Sequence, residues 1–195
     1  MARAARRSST PRGRRAGAPL RAAALLAAGL AVAFLLVGCN TNPEDTTNVV
    51  EGQPMKLGEL LYNVQISRYL NPSDPEDRAY LVGQPPPSND QYYLGVFMQI
   101  HNESDAAQRL PTQFRVVDTV GTKFKPVPTR SLFALKLGAA VPGNGVLPEP
   151  ETTAANGPIQ GSMVLFRIDS AAIQDRPLTL DIPSSSGVGR VELDI

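Results

Sequence analysis

The only cysteine in 195 residues, Cys39, stands in the segment Leu35-Leu36-Val37-Gly38-Cys39-Asn40, at the seam between an apolar run and a polar one. A lone thiol has no partner for an intrachain disulfide; the chemistry left to it is that of a nucleophile. The only histidine, His101, is followed by Asn102 and Glu103, and with a serine and a carboxylate in one cleft it could act as a general base. Asp74, Glu76, Asp77 and Asp90 share one proline-rich stretch and offer the hard oxygen ligands that calcium takes. Met98, His101 and Met163 would together offer a copper site if their strands were neighbours.

The setting of Cys39 decides its chemistry. Seven arginines and no acidic residue precede it, followed by the 16 apolar residues 22–37, "AAALLAAGLAVAFLLV". A basic segment before such a run is the pattern of an export signal, and the run falls short of the roughly 20 residues that span a bilayer. Leu36-Val37-Gly38-Cys39 resembles the bacterial lipobox. That resemblance implies diacylation of the thiol, cleavage before it, and Cys39 as the lipidated first residue of the mature chain. An uncleaved signal anchor is the plainer alternative, since the arginine flank orients either. Arg14-Arg15 lacks the apolar pair that usually follows twin arginines, which favours general secretion.

Removing those seven arginines from 19 basic residues leaves 12 against 18 acidic ones, so the exported part carries about −6. An overall basic footprint for nucleic acid is absent. Disulfides are permitted outside the cytoplasm, yet a chain with one modified cysteine has none, so packing alone must stabilise it. Three regions are expected: residues 1–38 as a lipoprotein signal peptide, 39–53 as a flexible tether, and 54–195 as one folded domain. The segment "NTNPEDTTNVVEGQ" is assigned to the tether for its polar composition.

The domain reads as strands rather than helices. "LLYNVQISRYL" places Tyr62, Val64 and Ile66 on one side and Asn63, Gln65 and Ser67 on the other. "YYLGVFMQIHN" is apolar on both faces, with Leu94, Val96, Met98 and Ile100 opposed to Tyr93 and Phe97, and predicts a central strand. "TQFRVVDTVGTKFKPV" predicts a hairpin with Gly121 at a positive φ. "SMVLFRID" predicts a second central strand, and "RPLTLDI" with "GRVELDI" a terminal hairpin. About seven strands, 18 prolines and 16 glycines make an antiparallel β-sandwich the economical architecture, with an open barrel sharing the same periodicity.

The stretches "YYLGVFMQIHNESD", "FRVVDTVGTKFKPV", "GPIQGSMVLFRI" and "RPLTLDI" resemble the bacterial extracellular immunoglobulin-like domain of unknown function carried by many exported lipoproteins. The resemblance covers roughly residues 57–195 and implies an all-β, immunoglobulin-like antiparallel sandwich. It transfers no catalytic residue, and the long stretch 71–90 departs from the family's leanest members.

Against this frame the chemical candidates weaken. The acidic stretch lacks the glycine and fixed ligand spacing of a calcium loop, so Asp74, Glu76, Asp77 and Asp90 are expected to be solvated turn carboxylates. Residues at i and i+3 of a strand point to opposite faces, so Met98 and His101 should diverge. No G-x-S-x-G, CxxC or Gly-rich phosphate cradle is present, and with Cys39 lipidated no Cys-His pair remains. The expectation is a non-enzyme with no cofactor, no metal and no nucleic-acid partner. It is a binding module held to the cell membrane by the lipid on Cys39, facing an envelope protein, a cell-wall polymer or a small ligand. A metal or small-ligand carrier is the alternative. In the long exposed loop 71–90 the Pro85–Pro87 run is expected to stiffen the chain, with docking as the alternative, and 138–157 is read as a strand connection, with a recognition edge as its alternative.

Cys39→Ala is expected to abolish incorporation of labelled palmitate and to leave a full-length precursor on a denaturing gel. A variant with the parent's mobility and membrane attachment would establish the uncleaved anchor instead.

Overall fold

The computed structural model describes residues 47–195; the signal segment and Cys39 lie outside the described residues. Twelve strands follow in order: β1 (Asn48–Val50), β2 (Pro54–Leu57), β3 (Leu60–Leu70), β4 (Gln91–Asn102), β5 (Gln108–Arg109), β6 (Arg115–Val117) and β7 (Lys123–Phe124). Then come β8 (Ala140–Val141), β9 (Val146–Leu147), a one-turn helix α1 (Thr153–Asn156), β10 (Ser162–Asp169), β11 (Thr179–Ser184) and β12 (Gly187–Glu192). They form a β-sandwich. One sheet has the order β1-β12-β11-β6-β7, the other β10-β4-β3-β2, with β9 also paired to β4. β5 and β8 make a separate two-stranded ribbon.

β4 is the centre, flanked by β3 and β10 through long antiparallel ladders. Tyr93 to Met98 are all buried, which a strand covered on both faces requires. Leu94, Val96, Met98 and Ile100 face the other sheet and meet Phe114, Val116, Leu180, Ile182 and Val191 in the main core. Tyr93 and Phe97 face away from it and belong to a second cluster with Leu70, Tyr80, Leu81, Phe133, Met163 and Leu165. Gly95 lies on this outer face, where a Cβ would stand 3.0 Å from both Leu70 and Phe97 and 3.3 Å from Met163. The missing side chain is what lets those three close over the strand.

The cover of the outer face comes from residues 71–90 and the segment after β7. Tyr80, from a short 3-10 turn region (Asp77–Ala79), packs edge-on against Phe97 at 5.1 Å and against Phe133 at 4.6 Å. Asp77 fixes this cover: it is buried, one carboxylate oxygen accepts from the Arg68 guanidinium of β3, and the other accepts from the Asn71 amide at 2.8 Å. Ser131 Oγ donates to Ala79 O, tying the two covering segments together. The described domain therefore has three layers, the outer one built from residues 71–90 and the segment after β7. The stretch read as a long exposed loop is a structural lid whose anchors are buried.

Four expectations need correction. Ile66 does not follow Tyr62 and Val64 inward, because a bulge between Val64 and Ile66 shifts the register. The extra residue turns Ile66 outward and buries Ser67. Second, the folded chain begins within the stretch 39–53 assigned to the tether: β1 pairs in parallel with β12, so the sandwich is not wholly antiparallel. Val49 is in the core, and Glu51 accepts from the Ser67 amide and hydroxyl and from the Asp194 amide. That carboxylate satisfies the polar groups which the bulge exposes, so the segment has a packing reason to be ordered.

Third, β10 is an edge strand by sheet order, not a central one. Its free edge is covered by the chain after β7: Val127 N donates to Leu165 O, Leu135 N to Met163 O, and Met163 N to Phe133 O. Cover of the edge and of both faces explains its continuous apolar sequence. Fourth, the strands among the described residues number twelve rather than about seven, because several are very short: β5, β7, β8 and β9 have two residues each and β1 three. Such pairings have no sequence period. The stretch 138–157, read as one connection, contains β8, β9 and α1.

The two expected hairpins are present. The hairpin of β6 and β7 has Gly121 at φ +89°, and Asp118 accepts from Val120 N and Thr122 N across the turn. β11 and β12 pair through a two-residue loop, with Leu178, Leu180, Ile182, Val191 and Leu193 buried. Asn102, the first residue of the Asn-Glu-Ser run, is fully buried at the end of β4. Its amide donates to Ala106 O, Val141 O and Pro142 O, and its carbonyl accepts from Ser104. It thereby fixes the β5–β8 ribbon to the end of the sandwich.

Phe97→Ala removes the centre of the second cluster and is expected to cost about 3–5 kcal/mol in urea unfolding. Asp77→Ala is expected to raise hydrogen exchange through residues 71–84 while β3 and β4 keep their protection, because it frees the lid without opening the main core. Equal loss of protection in β4 would show that lid and sandwich unfold as one unit.

Candidate functional site

The four carboxylates of the lid do not converge. Asp77 is spent on Arg68 and Asn71. Asp74 accepts from the Glu76 amide at 2.9 Å, a local turn bond. Glu76 and Asp90 are exposed, and Asp90's backbone carbonyl accepts from Ser170 N. No group of three or more metal-ligating side chains of the His, Cys, Asp and Glu types exists among the described residues. The Pro85–Pro87 run is held down by Tyr93 Oη, which donates to Pro85 O at 2.8 Å.

Met98 belongs to the main core and Met163 to the outer cluster, so they lie on opposite sides of the second sheet. His101 is exposed. It borders a cavity of about 240 Å³ lined by Leu61, Gln99, Ile100, Val146, Leu147, Pro148 and Ala155. That lining supplies neither a hydroxyl nucleophile nor a carboxylate, so the histidine has no partner there for acyl transfer. Cys39 lies outside the described residues.

The structure instead brings together a set of residues that spacing did not single out. Between positions 106 and 148 the chain carries six cations, Arg109, Arg115, Lys123, Lys125, Arg130 and Lys136, and one acid, Asp118. Asp118 is buried and committed to its turn. The segregation was readable from sequence as a local charge excess within an acidic mature chain. Whole-chain charge conceals it.

Three adjoining cavities run along this segment. The first, about 440 Å³, lies at the end of the sandwich between the β2–β3 turn, the residues after β5 and the β11–β12 turn, and Arg109 and Glu59 line it. The second, about 480 Å³, shares Thr112 and Gln113 with the first and adds Arg115 and Lys125. The third, about 330 Å³, shares Pro126 and Leu137 with the second and adds Lys136. Together they form a groove that climbs from one end of the sandwich along the side where β7 faces β10. Glu59 is the single acid in its lining.

Local structure presents these cations outward. Arg115 and Lys125 alternate with the buried Val116 and Phe124, so both project from the outer face of the first sheet. Arg109 donates to Gly138 O, and Arg115 to Gln113 Oε1, which are neutral acceptors. The ion pairs among the described residues are Lys56–Glu103, Arg68–Asp77 and Arg190–Asp181. None of the four groove cations takes part in one.

Tyr62, buried on β3, lines the first cavity. Burial pushes its phenol far above the usual tyrosine value, which keeps it protonated and able to donate. Its hydroxyl bonds to no other described residue. Chemically, the arrangement can hold negative charge and donate hydrogen bonds.

No family model matches the chain, and no curated protein matches it. Among solved structures, it is similar to an uncharacterized β-sandwich protein from Clostridium difficile 630, at 10% identity and TM-score 0.47, over 77% of this chain and 96% of that one. A functionally unknown protein from Listeria monocytogenes EGD-e aligns at 13% identity and TM-score 0.46, over 74% and 84%. A candidate lipoprotein (ycdA) from Bacillus subtilis subsp. subtilis str. 168 aligns at 11% identity and TM-score 0.46, over 74% of this chain and 38% of that one.

Proposed function

We propose that this protein is a non-catalytic binding module of the extracytoplasmic space, anchored to the cell membrane by lipid on Cys39, with an immunoglobulin-like sandwich as its scaffold. The anchor is supported by the basic and apolar segments that end at Leu36-Val37-Gly38-Cys39. The immunoglobulin-like reading rests on the resemblance of the β4, β6–β7 and β10 segments to that family. The observation that carries the binding role is the groove of three adjoining cavities, lined by four cations without carboxylate partners. A rigid sandwich that leaves such charge unneutralised on one side is suited to receiving a partner rather than to turning over a substrate. The partner belongs to the envelope.

The carrier alternative keeps one supporting observation. The first cavity has the volume of a small-molecule site and a buried phenol in its lining.

Two measurements on the full chain separate these readings. A photocrosslinker at Gln113 is expected to capture envelope material in the membrane fraction of cells, whereas one at Ser73 on the lid captures none. Recovery of the chain in the cytosolic fraction would refute the anchored role, and an organic mass retained in native mass spectrometry would establish the carrier.

A further inference from the structure

We infer that the groove binds a linear, base-free polyanion with phosphodiester repeats, of the kind found as wall or envelope polymer. The inference names the partner class for the site proposed above, and it rests on that extracytoplasmic placement.

Three observations select this chemistry. The first is charge: Arg109, Arg115, Lys125 and Lys136 line three cavities in series, with Glu59 as the only acid. The rest of the described domain is acidic, so the groove is a local reversal of sign. A polyanion is thus drawn to this side and repelled elsewhere.

The second is shape. A single phosphate would occupy one cavity, whereas cations distributed along consecutive cavities match repeating charges on one chain. A bilayer surface is flat and would meet the end of the sandwich, where Glu59 lines the first cavity and Glu103, whose amide donates to Glu59 O, stands beside it. The cations that climb the side would then face away from it. A flexible chain can follow the concave path.

The third is the absence of a stacking platform. The aromatic residues lining these cavities are Tyr62 and Phe114, 2% and 0% exposed. Single-stranded nucleic acid is normally held by bases stacked on exposed rings. A polymer whose repeat is a phosphodiester and a polyol needs none, and the exposed Thr112 and Gln113 that join the first two cavities offer hydrogen-bonding groups to its hydroxyls.

The test uses the full chain in neutral detergent with poly(glycerol phosphate) as the probe. Comparators are poly-glutamate, mixed-sequence single-stranded DNA and phosphatidylglycerol vesicles. Poly(glycerol phosphate) is expected to bind tightest, with affinity falling as salt rises. Arg115→Glu with Lys125→Glu is expected to weaken binding by at least about tenfold and to reduce the salt slope by about 1 per cation removed. Arg78→Glu, an exposed cation of the lid, should leave binding within about twofold. Because Arg115 and Lys125 project from the sheet, the double variant should keep its thermal midpoint. If it does not, Arg109→Glu with Lys136→Glu gives the same readout from the other two cavities. The inference is overturned by no binding at low salt, by unchanged affinity in a folded double variant, or by tighter binding to any comparator. Localisation plays no part in this readout, so its failure is distinct from failure of the anchored role.

Discussion

β4 is apolar on both faces, and that single fact dictates the architecture. A strand with Leu94, Val96, Met98 and Ile100 on one side and Tyr93 and Phe97 on the other needs two covers. The first sheet supplies one, and the lid of residues 71–90 with the chain around Phe133 supplies the other. With no disulfide among the described residues to hold it, the second cover depends on Tyr80, Leu81 and the Asp77–Arg68 pair. Polar groups are then paired where the fold bends: Glu51 at the bulge, Asn102 at the strand end, Asp118 in the hairpin. Each of these side chains bonds backbone groups that the ladder leaves unpaired.

This division of labour changes where recognition can occur. The lid is long, proline-rich and acidic, features that suggest an exposed docking loop. Its apolar anchors tell a different story, because a loop that completes a core cannot move aside for a partner without exposing Phe97 and Tyr93. The strap from β5 to β9 is placed otherwise. It contributes β6 and β7 to the first sheet and Phe114, Val116, Phe124 and Val141 to the main core, while its charged side chains other than Asp118 reach the surface. Rigidity comes from its buried apolar side chains and backbone bonds, and availability from its surface cations.

Much of the fold was legible from alternation. β3 and β4 begin and end close to the apolar runs that mark them, and the two hairpins follow from Asp118 with Gly121 and from the serines before Gly187. What alternation could not carry was anything that breaks the period of two. The bulge in β3 exchanges Ile66 for Ser67, and the groups it exposes are paired by a carboxylate 16 residues away in sequence. β10 reads as central because an edge covered by loop backbone buries side chains as thoroughly as a neighbouring strand does. The two-residue pairings of β5, β8 and β9 depend on Asn102 and on tertiary register, so no local pattern announces them.

The site was legible in a different sense, through charge rather than motif. Residue-by-residue searching looks for ligands at fixed spacing, and none of Arg109, Arg115, Lys125 and Lys136 stands at a spacing with chemical meaning. Their common property is that no acid accompanies them except one already committed to a turn. Elsewhere in the domain Arg68 and Arg190 are answered by carboxylates on neighbouring strands or loops, while Arg78 and Arg167 form no ion pair among the described residues but have acidic residues close by in sequence. A fold that can pair its charges on one side has the means to pair them on the other. Desolvation does not require these four to stay unpaired, since all are at the surface, and stability gains little from surface pairs in any case. The imbalance is therefore no requirement of the sandwich, and it is the observation on which the proposed binding role rests.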